Sequence, residues 1–433
     1  MQIEDILLKG IRPKRQKRAP KEDVKYEIDG EKLMHLDGFE SLAAKLAFES
    51  PLLVQKIVIP YFLSGINVIV RAFTGSGKTL SYCLPLVELG MQKDVFGVVI
   101  VPSAALVKQV LMCLDEIKGR QMRVRGVYAY ANGMKLMRCE NNRVVDEEVL
   151  AVEKAVGDAF LNTNARVLVA TPEGLLRVCE NVKISGITHL VIDEADFLIC
   201  KNSIEQFGRI LRVLDLRSAH VSCFSATINE YVAEVMDAIS NVTKIHIWSK
   251  RYFDHEFVFG TNRRIKHLAL MQVIADGVES PALIFVRDEA TGEMLSKMLE
   301  KSAVYTECKC QQEGDMCKGS ADCGEHCVPD MSIIDDFRMK KTWYLFATDS
   351  LSRGVDFYNV RSVINYDIPD TKTQFVHRAG RVNRNCSGQK IYSIYSREDF
   401  ERMGVVVDFL EENGHRVPEH IAKIAGRTAK PLG

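Results

Sequence analysis

The chain has 433 residues, 47% of them apolar and 26% charged, with 57 basic side chains balanced by 57 acidic ones. That length fits two to four domains of roughly 100–200 residues, and the composition excludes a wholly disordered, collagenous or heptad-built chain. With no net charge, any attraction for nucleic acid has to come from a local basic face rather than a global field.

The N-terminus lacks an apolar stretch ahead of a small-residue cleavage site, so no secretory leader is expected. No apolar run approaches the roughly 18–20 residues that span a bilayer, so no membrane segment is expected either. Residues 1–30, with Arg12, Lys14, Arg15, Lys17 and Arg18 in one cluster, read as a flexible basic arm. The same run also fits a nuclear-import or RNA-touching patch. From residue 31, short apolar runs alternate with helical patterns. Strands are predicted at Val68–Val70, Val98–Val101, Val167–Val169, His189–Ile192 and Val221–Phe224. Each is nearly all apolar, as in a parallel sheet covered by helices on both faces, so residues 31–246 are predicted to form a doubly wound α/β domain. The rhythm fades over 247–264, which reads as a linker. It resumes with Ala282–Val286, Trp343–Phe346, Val363–Tyr366 and Lys390–Ser393, a second α/β domain over 265–425 followed by a tail at 426–433.

A phosphate loop follows the first of these strands. Ala72-Phe73-Thr74-Gly75-Ser76-Gly77-Lys78-Thr79 leads straight into a helical pattern. Glycines let such a loop turn its N–H groups inward as a nest for phosphate oxygens, and the helix presents its positive end to the same anion. Lys78 is placed to neutralise the β- and γ-phosphates, and the Thr79 hydroxyl to ligate Mg²⁺. The strand His189–Ile192 ends in Asp193-Glu194-Ala195-Asp196. Carboxylates at the C-terminal end of a parallel strand lie where such sheets bind ligands. Asp193 is the candidate for the Mg²⁺ shell, and Glu194 for orienting and deprotonating an attacking water.

In this order, across two α/β domains, the residues resemble the DEAD-box RNA helicases of superfamily two. The resemblance covers about residues 35–400. It runs through Pro51 and Gln55, AFTGSGKT, VIDEAD, Ser225-Ala226-Thr227, Leu283–Val286, Ala347-Thr348-Asp349 with Arg353, Gly354 and Asp356, and His377-Arg378 with Gly380, Arg381 and Arg384. It implies two tandem RecA-like domains and an RNA-dependent ATPase that separates short duplexes locally. Gln55 would read the adenine, making ATP the nucleotide, and Asp356 would contact the ribose. Ser225 and Thr227 would bond the DEAD carboxylates, with Asp196 and His377, and couple nucleotide state to closure. Arg381 and Arg384 would act as arginine fingers. Contacts to RNA would come from Pro102, Thr171, Pro172, Thr348, Asp349 and Arg353. Phe39 stands too close to Gln55 for the family's base-stacking aromatic and reads as core.

Three departures fall on RNA-side elements. Where the family has Pro-Thr-Arg-Glu-Leu, this chain has Pro102-Ser103-Ala104-Ala105-Leu106. Where it has Thr-Pro-Gly-Arg, this chain has Thr171-Pro172-Glu173-Gly174, with Arg177 several positions late. Weak, salt-sensitive RNA binding by the first domain is therefore expected. The third is an insertion at 306–329. It carries Cys308, Cys310, Cys317, Cys323, His326 and Cys327, five of the chain's 12 cysteines. Four such groups can hold Zn²⁺, yet the spacing fits no common zinc framework. Structural zinc, a reduced cysteine-rich loop and redox disulfides all stay open, while the remaining cysteines are expected to be reduced.

Arg353-Gly354-Val355-Asp356-Phe357 and the following INYDIP resemble the nucleolar helicases of large-subunit ribosome assembly. With the basic arm, this implies a nucleolar monomer that works on pre-rRNA among ribonucleoprotein assembly factors. The alternative is a nucleotide-gated RNA clamp or assembly scaffold that hydrolyses ATP but barely unwinds.

Overall fold

The computed structural model describes residues 24–29, 51–91, 95–118, 123–130, 133–140, 143–149, 165–239, 241–249, 253–306, 331–349, 357, 360–382 and 389–427. Phe39, Arg353, Asp356, Arg384, His326 and the five clustered cysteines lie outside the described residues. None of the described cysteines is in a disulfide. No described helix is long and apolar enough to cross a membrane.

The elements of the first lobe are β1 (Val24–Asp29), α1 (Leu53–Leu63), β2 (Asn67–Ala72), α2 (Lys78–Gly90), β3 (Gly97–Ile100), α3 (Ala104–Lys118), β4 (Arg123–Tyr130), β5 (Gly133–Glu140), β6 (Arg143–Val149), β7 (Ala165–Ala170), α4 (Pro172–Asn181), β8 (His189–Asp193), α5 (Ala195–Leu198), α6 (Ile204–Val213), β9 (His220–Ser225), α7 (Glu230–Asp237) and β10 (Val242–Ser249). Their strands form one sheet in the order β1-β10-β2-β9-β8-β3-β7-β4-β5-β6. Pairing is parallel from β10 to β4, and antiparallel where β1 joins β10 and along the β4-β5-β6 meander.

In the second lobe come β11 (Asp254–Phe259), α8 (Arg263–Ala275), β12 (Ala282–Phe285), α9 (Glu289–Ser296), β13 (Ser302–Val304), α10 (Met331–Arg338), β14 (Tyr344–Ala347), β15 (Ser362–Asn365), α11 (Lys372–Ala379), β16 (Lys390–Tyr395), α12 (Met403–Glu412) and α13 (Glu419–Ile424). The second sheet is parallel throughout, in the order β11-β16-β15-β12-β14-β13. Every residue of β3, β8, β12 and β15 is buried, because helices cover both faces of each sheet. The molecule is thus two RecA-like doubly wound lobes, each with apolar clusters on both sides of its sheet.

Two expectations change. The arm expected over 1–30 carries β1 at its end, where Val24, Tyr26 and Ile28 alternate with Lys25, Glu27 and Asp29 in the period-2 pattern of an edge strand. The linker expected over 247–264 holds the end of β10, the whole of β11 and the first residues of α8. β11 is an edge strand, so its sequence mixes exposed charge with half-buried rings and lacks the apolar run of a central strand.

Candidate active site

The phosphate loop joins β2 to α2 at the C-terminal edge of the first sheet. Gly75 and Gly77 have φ of +73° and +97°, which an L side chain adopts only under strain. Gln55 sits one turn into α1. Its Oε1 accepts from Leu52 N at 2.8 Å, and its Nε2 faces Gly77 O at 3.5 Å. A Cβ on Gly77 would come within 2.8 Å of that Nε2, so loop and glutamine fit only with glycine there. Lys78 is buried, and its Nζ donates to Ala72 O at 2.7 Å and Phe73 O at 3.3 Å, across the base of the loop. Thr79 follows it in the first turn of α2. Ser76 Oγ is shut off from solvent without a hydrogen-bond partner among the described residues. A loop of inward N–H groups, a buried ammonium and an unmatched hydroxyl suits a polyphosphate.

Beyond the loop, β8 delivers the carboxylates. Asp193 Oδ2 accepts from Tyr82 Oη at 2.8 Å and its Oδ1 from Glu194 N at 2.9 Å. Burial and the adjoining Glu194 charge push the Asp193 carboxyl up to about 6, against the pull of Lys78 and these bonds. With Lys78 close by, Asp193 and the Thr79 hydroxyl are the oxygen donors that a divalent ion would need. Glu194 takes φ +51° at the strand-to-helix turn. That turn aims its side chain into the cleft, where Oε2 is sealed from solvent with no hydrogen-bond partner among the described residues.

Asp196 completes the junction with the second lobe. Its Oδ2 accepts from Thr227 Oγ1 and meets His377 Nε2 at 3.1 Å, while its N–H reaches Ser225 Oγ at 3.3 Å. Burial alone would raise this carboxyl. His377, with the bonds from Thr227 and Ser225, outweighs it and holds Asp196 well below the usual carboxylate range. His377 Nδ1 lies 3.9 Å from Glu194 Oε2. Glu194, Asp196 and His377 each bring one ligand atom within 4.8 Å of the others. Thr227 Oγ1 also touches Thr373 Oγ1 at 3.4 Å, a second contact from the first lobe to α11.

Arg378 on α11 and Arg381 just past its end bring two cations of the second lobe to this junction. Arg381 is buried, with its Nε toward His377 O at 3.4 Å. Arg378 forms a fork on Asp349, at 2.6 and 2.8 Å, and its Nη1 donates to Asp367 O at 2.6 Å. Asp349, expected on the RNA side, is thus engaged by α11, with Thr348 beside it just past β14. The altered RNA-side segments have local consequences. Thr171 Oγ1 caps α4 by accepting from Gly174 N at 3.3 Å, with Pro172 opening the helix. Glu173 draws the late Arg177 into an i,i+4 pair at 2.9 Å. Pro102 ends the buried run of β3, and Ala105, in place of a charged residue, joins the apolar cluster of the second lobe.

Three residues that hold this site together were not singled out by sequence. Tyr82 stands one turn after Lys78 on α2, so helical spacing could have placed it beside the loop. Asn229 Nδ2 clamps Asp196 O and Ile199 O, each at 3.0 Å. Thr373 is the third and has no local signal, while Arg378, present in the His377-Arg378 motif, gains its partner Asp349 only from the fold.

Residues 53–235 match the family described as DEAD/DEAH box helicase, and residues 266–386 the helicase conserved C-terminal domain. The ATP-dependent RNA helicase ROK1 of Saccharomyces cerevisiae is 26% identical over 432 residues, spanning 91% of this chain and 70% of that protein. DEAD-box ATP-dependent RNA helicase 57 of rice (Oryza sativa subsp. japonica) is 26% identical over 389 residues, covering 87% of this chain and 66% of its own length. Among solved structures, S. cerevisiae Dbp5 bound to RNA and ADP BeF3 superposes with a TM-score of 0.65 at 20% identity, over 89% of this chain and 96% of that one. Its two lobes each match a helicase domain in the right order, and the chain belongs to the DEAD-box helicase family.

Proposed function

We propose that this protein is an RNA-dependent ATPase whose closing lobes separate short stretches of RNA duplex. The observation that carries the reading is the inter-lobe junction. His377 of the second lobe bonds Asp196 of the first, one residue from Ala195 and two from Glu194.

The residues divide the work as follows. Gln55 reads the adenine edge. Lys78 exchanges its bonds to Ala72 O and Phe73 O for the β- and γ-phosphates. Thr79 and Asp193 hold Mg²⁺, which neutralises phosphate charge when bound. Glu194 Oε2 takes the proton of the attacking water, a role that suits a buried oxygen with no competing bond. Arg381 and Arg384 stabilise charge on the transferring phosphoryl group, and Asp356 positions the ribose. Asp196, Ser225, Thr227 and His377 tie that chemistry to lobe closure. Along the RNA, Pro102, Thr171, Pro172, Thr348 and Arg353 form the track. With Arg177 engaged by Glu173, phosphate contacts from the first lobe are few and salt-sensitive.

Backbone contacts are sequence-blind, so the RNA is assigned from elsewhere in the chain. Phe357, the INYDIP segment and the basic arm favour pre-rRNA, assembly factors as company and the nucleolus as the place of work. Two assays on the purified chain test the reading: ATP hydrolysis with and without RNA, and displacement of one strand from a short RNA duplex. RNA-stimulated hydrolysis with displacement supports it. Stimulated hydrolysis without displacement overturns the unwinding step, and no stimulation overturns the whole.

A further inference from the structure

Behind the face that meets the first lobe, four polar side chains form a line through the second sheet. Arg378 Nη1 donates to Asn365 Oδ1 at 3.3 Å, Asn365 Nδ2 donates to Ser393 Oγ at 3.3 Å, and Ser393 Oγ meets His255 Nε2 at 2.9 Å. Ser393, Asn365 and Arg378 are 0%, 1% and 2% exposed, so water offers them no substitute partners.

Donor and acceptor inventories fix the direction of the line. A guanidinium only donates, so the carboxamide oxygen of Asn365 faces Arg378 and its NH₂ faces Ser393. Ser393 Oγ accepts that bond and meets Nε2 of His255, whose Nδ1 is sealed from solvent with no partner among the described residues. Burial, with His415 nearby, pushes His255 down to about 3, which keeps the ring neutral at working pH.

The same ring also touches α11 directly. It stacks on Phe375 with centroids 5.7 Å apart and planes 20° apart. Phe375 and Arg378 are one turn apart on the helix that carries His377 and leads through Gly380 into Arg381. His255 itself lies on β11, the first strand after the crossing from the first lobe.

We propose that His255 is a positioning residue for ATP hydrolysis. Through Ser393 and Asn365, and through its stack on Phe375, it fixes the rotation of α11 and so the aim of His377, Arg378 and Arg381. It touches no nucleotide, and the proposal rests on the function assigned above. Without Nε2, Ser393 Oγ loses its hydrogen-bond partner on β11 and Asn365 loses a neighbour held in place. A turned carboxamide would set NH₂ against guanidinium, two donors face to face.

Three variants test this in the full chain. His255→Phe keeps the stack and removes the hydrogen-bonding nitrogen, His255→Gln supplies an uncharged hydrogen-bonding group without the ring, and Ser393→Ala cuts the line in the middle. The readouts are kcat and KM for ATP with saturating RNA, beside the thermal unfolding midpoint. Misaimed groups at a reaction centre lower kcat by roughly ten- to a hundredfold. That loss is expected for His255→Phe and Ser393→Ala with KM for ATP unchanged, at an assay temperature well below both unfolding midpoints, which fall modestly because each variant leaves a buried group unmatched. The double variant is expected to be no worse than either single, as members of one chain are non-additive, and His255→Gln to recover much of the loss. Wild-type kcat in His255→Phe and Ser393→Ala overturns the proposal, as does a loss that tracks the unfolding midpoint or that glutamine fails to relieve. If the unaltered protein shows no RNA-stimulated hydrolysis, the function assigned above fails instead.

Discussion

Gly380 closes α11 and faces the phosphate loop of the other lobe. A Cβ there would lie 2.7 Å from Thr74 Oγ1 and 2.9 Å from Thr74 Cβ. Its φ of −63° is ordinary helical backbone, and within its own lobe the gain in helix propensity, up to about 1 kcal/mol, stands against a 3.1 Å contact with Val376 O. The closer contacts, and most of the cost, fall on the meeting of the lobes. Restoring an ordinary contact requires them to part by roughly 0.7 Å, and overpacking of that order costs about 1–3 kcal/mol. Because the Thr74 contact exists only where the lobes meet, Gly380→Ala is expected to lower RNA-stimulated kcat/KM for ATP by roughly 5- to 150-fold, while the unfolding midpoint changes little. Steady-state ATPase with saturating RNA, run beside thermal unfolding, separates the two effects. Wild-type turnover in a well-folded Gly380→Ala protein would refute the reasoning, since the lobes would then not meet at Thr74 during catalysis.

Glu194→Gln removes the proton acceptor but keeps the volume, so turnover should fall by roughly 10²–10⁴ with nucleotide affinity retained, as single-turnover assays and binding titration would show. His377→Ala strips Asp196 of its partner across the cleft; duplex displacement should be lost more severely than nucleotide binding, and equal losses would argue against a coupling role. His189 stacks on Phe62 with centroids 5.1 Å apart, and burial, with His220 beside it, lowers it from 6.5 to about 4. Its folded value lies below its unfolded one, so the unfolded chain binds the extra proton. Stability from this site is complete above pH 6.5 and drains away as pH falls toward 4, by about 2 kcal/mol at pH 5. Urea unfolding at pH 7.5 and pH 5 should show a smaller acid loss in His189→Gln than in the unaltered protein, and equal losses would contradict the assignment.

Which parts of this molecule could be read from sequence follows from where each interaction is written. β2, β3, β7, β8, β9, β12, β14, β15 and β16 are covered on both faces, so burial alone spells them as apolar runs. β1, β10, β11 and the β4-β5-β6 meander lie toward the sheet edges or alternate polar with apolar residues, and the two-sided rule passes over them. At the site, Gly75, Gly77, Lys78 and Asp193 to Asp196 are legible because their chemistry requires fixed spacing on a strand-to-helix turn. Tyr82 with Asp193, Thr227 with Thr373, and Gly380 with Thr74 join positions more than a hundred residues apart. Only the folded chain brings them together. The resemblance implied an RNA contact from the Thr171 hydroxyl, while the fold shows that hydroxyl capping α4.

The account's central claim is that one catalytic pocket is assembled from both lobes. The most direct test is RNA-stimulated ATP turnover of Arg381→Ala, measured beside its affinity for a fluorescent ATP analogue. A cation delivered across the cleft predicts a loss of roughly 10³-fold or more in turnover with affinity little changed. Turnover near that of the unaltered protein would mean that the first lobe hydrolyses ATP unaided, and the claim would fall.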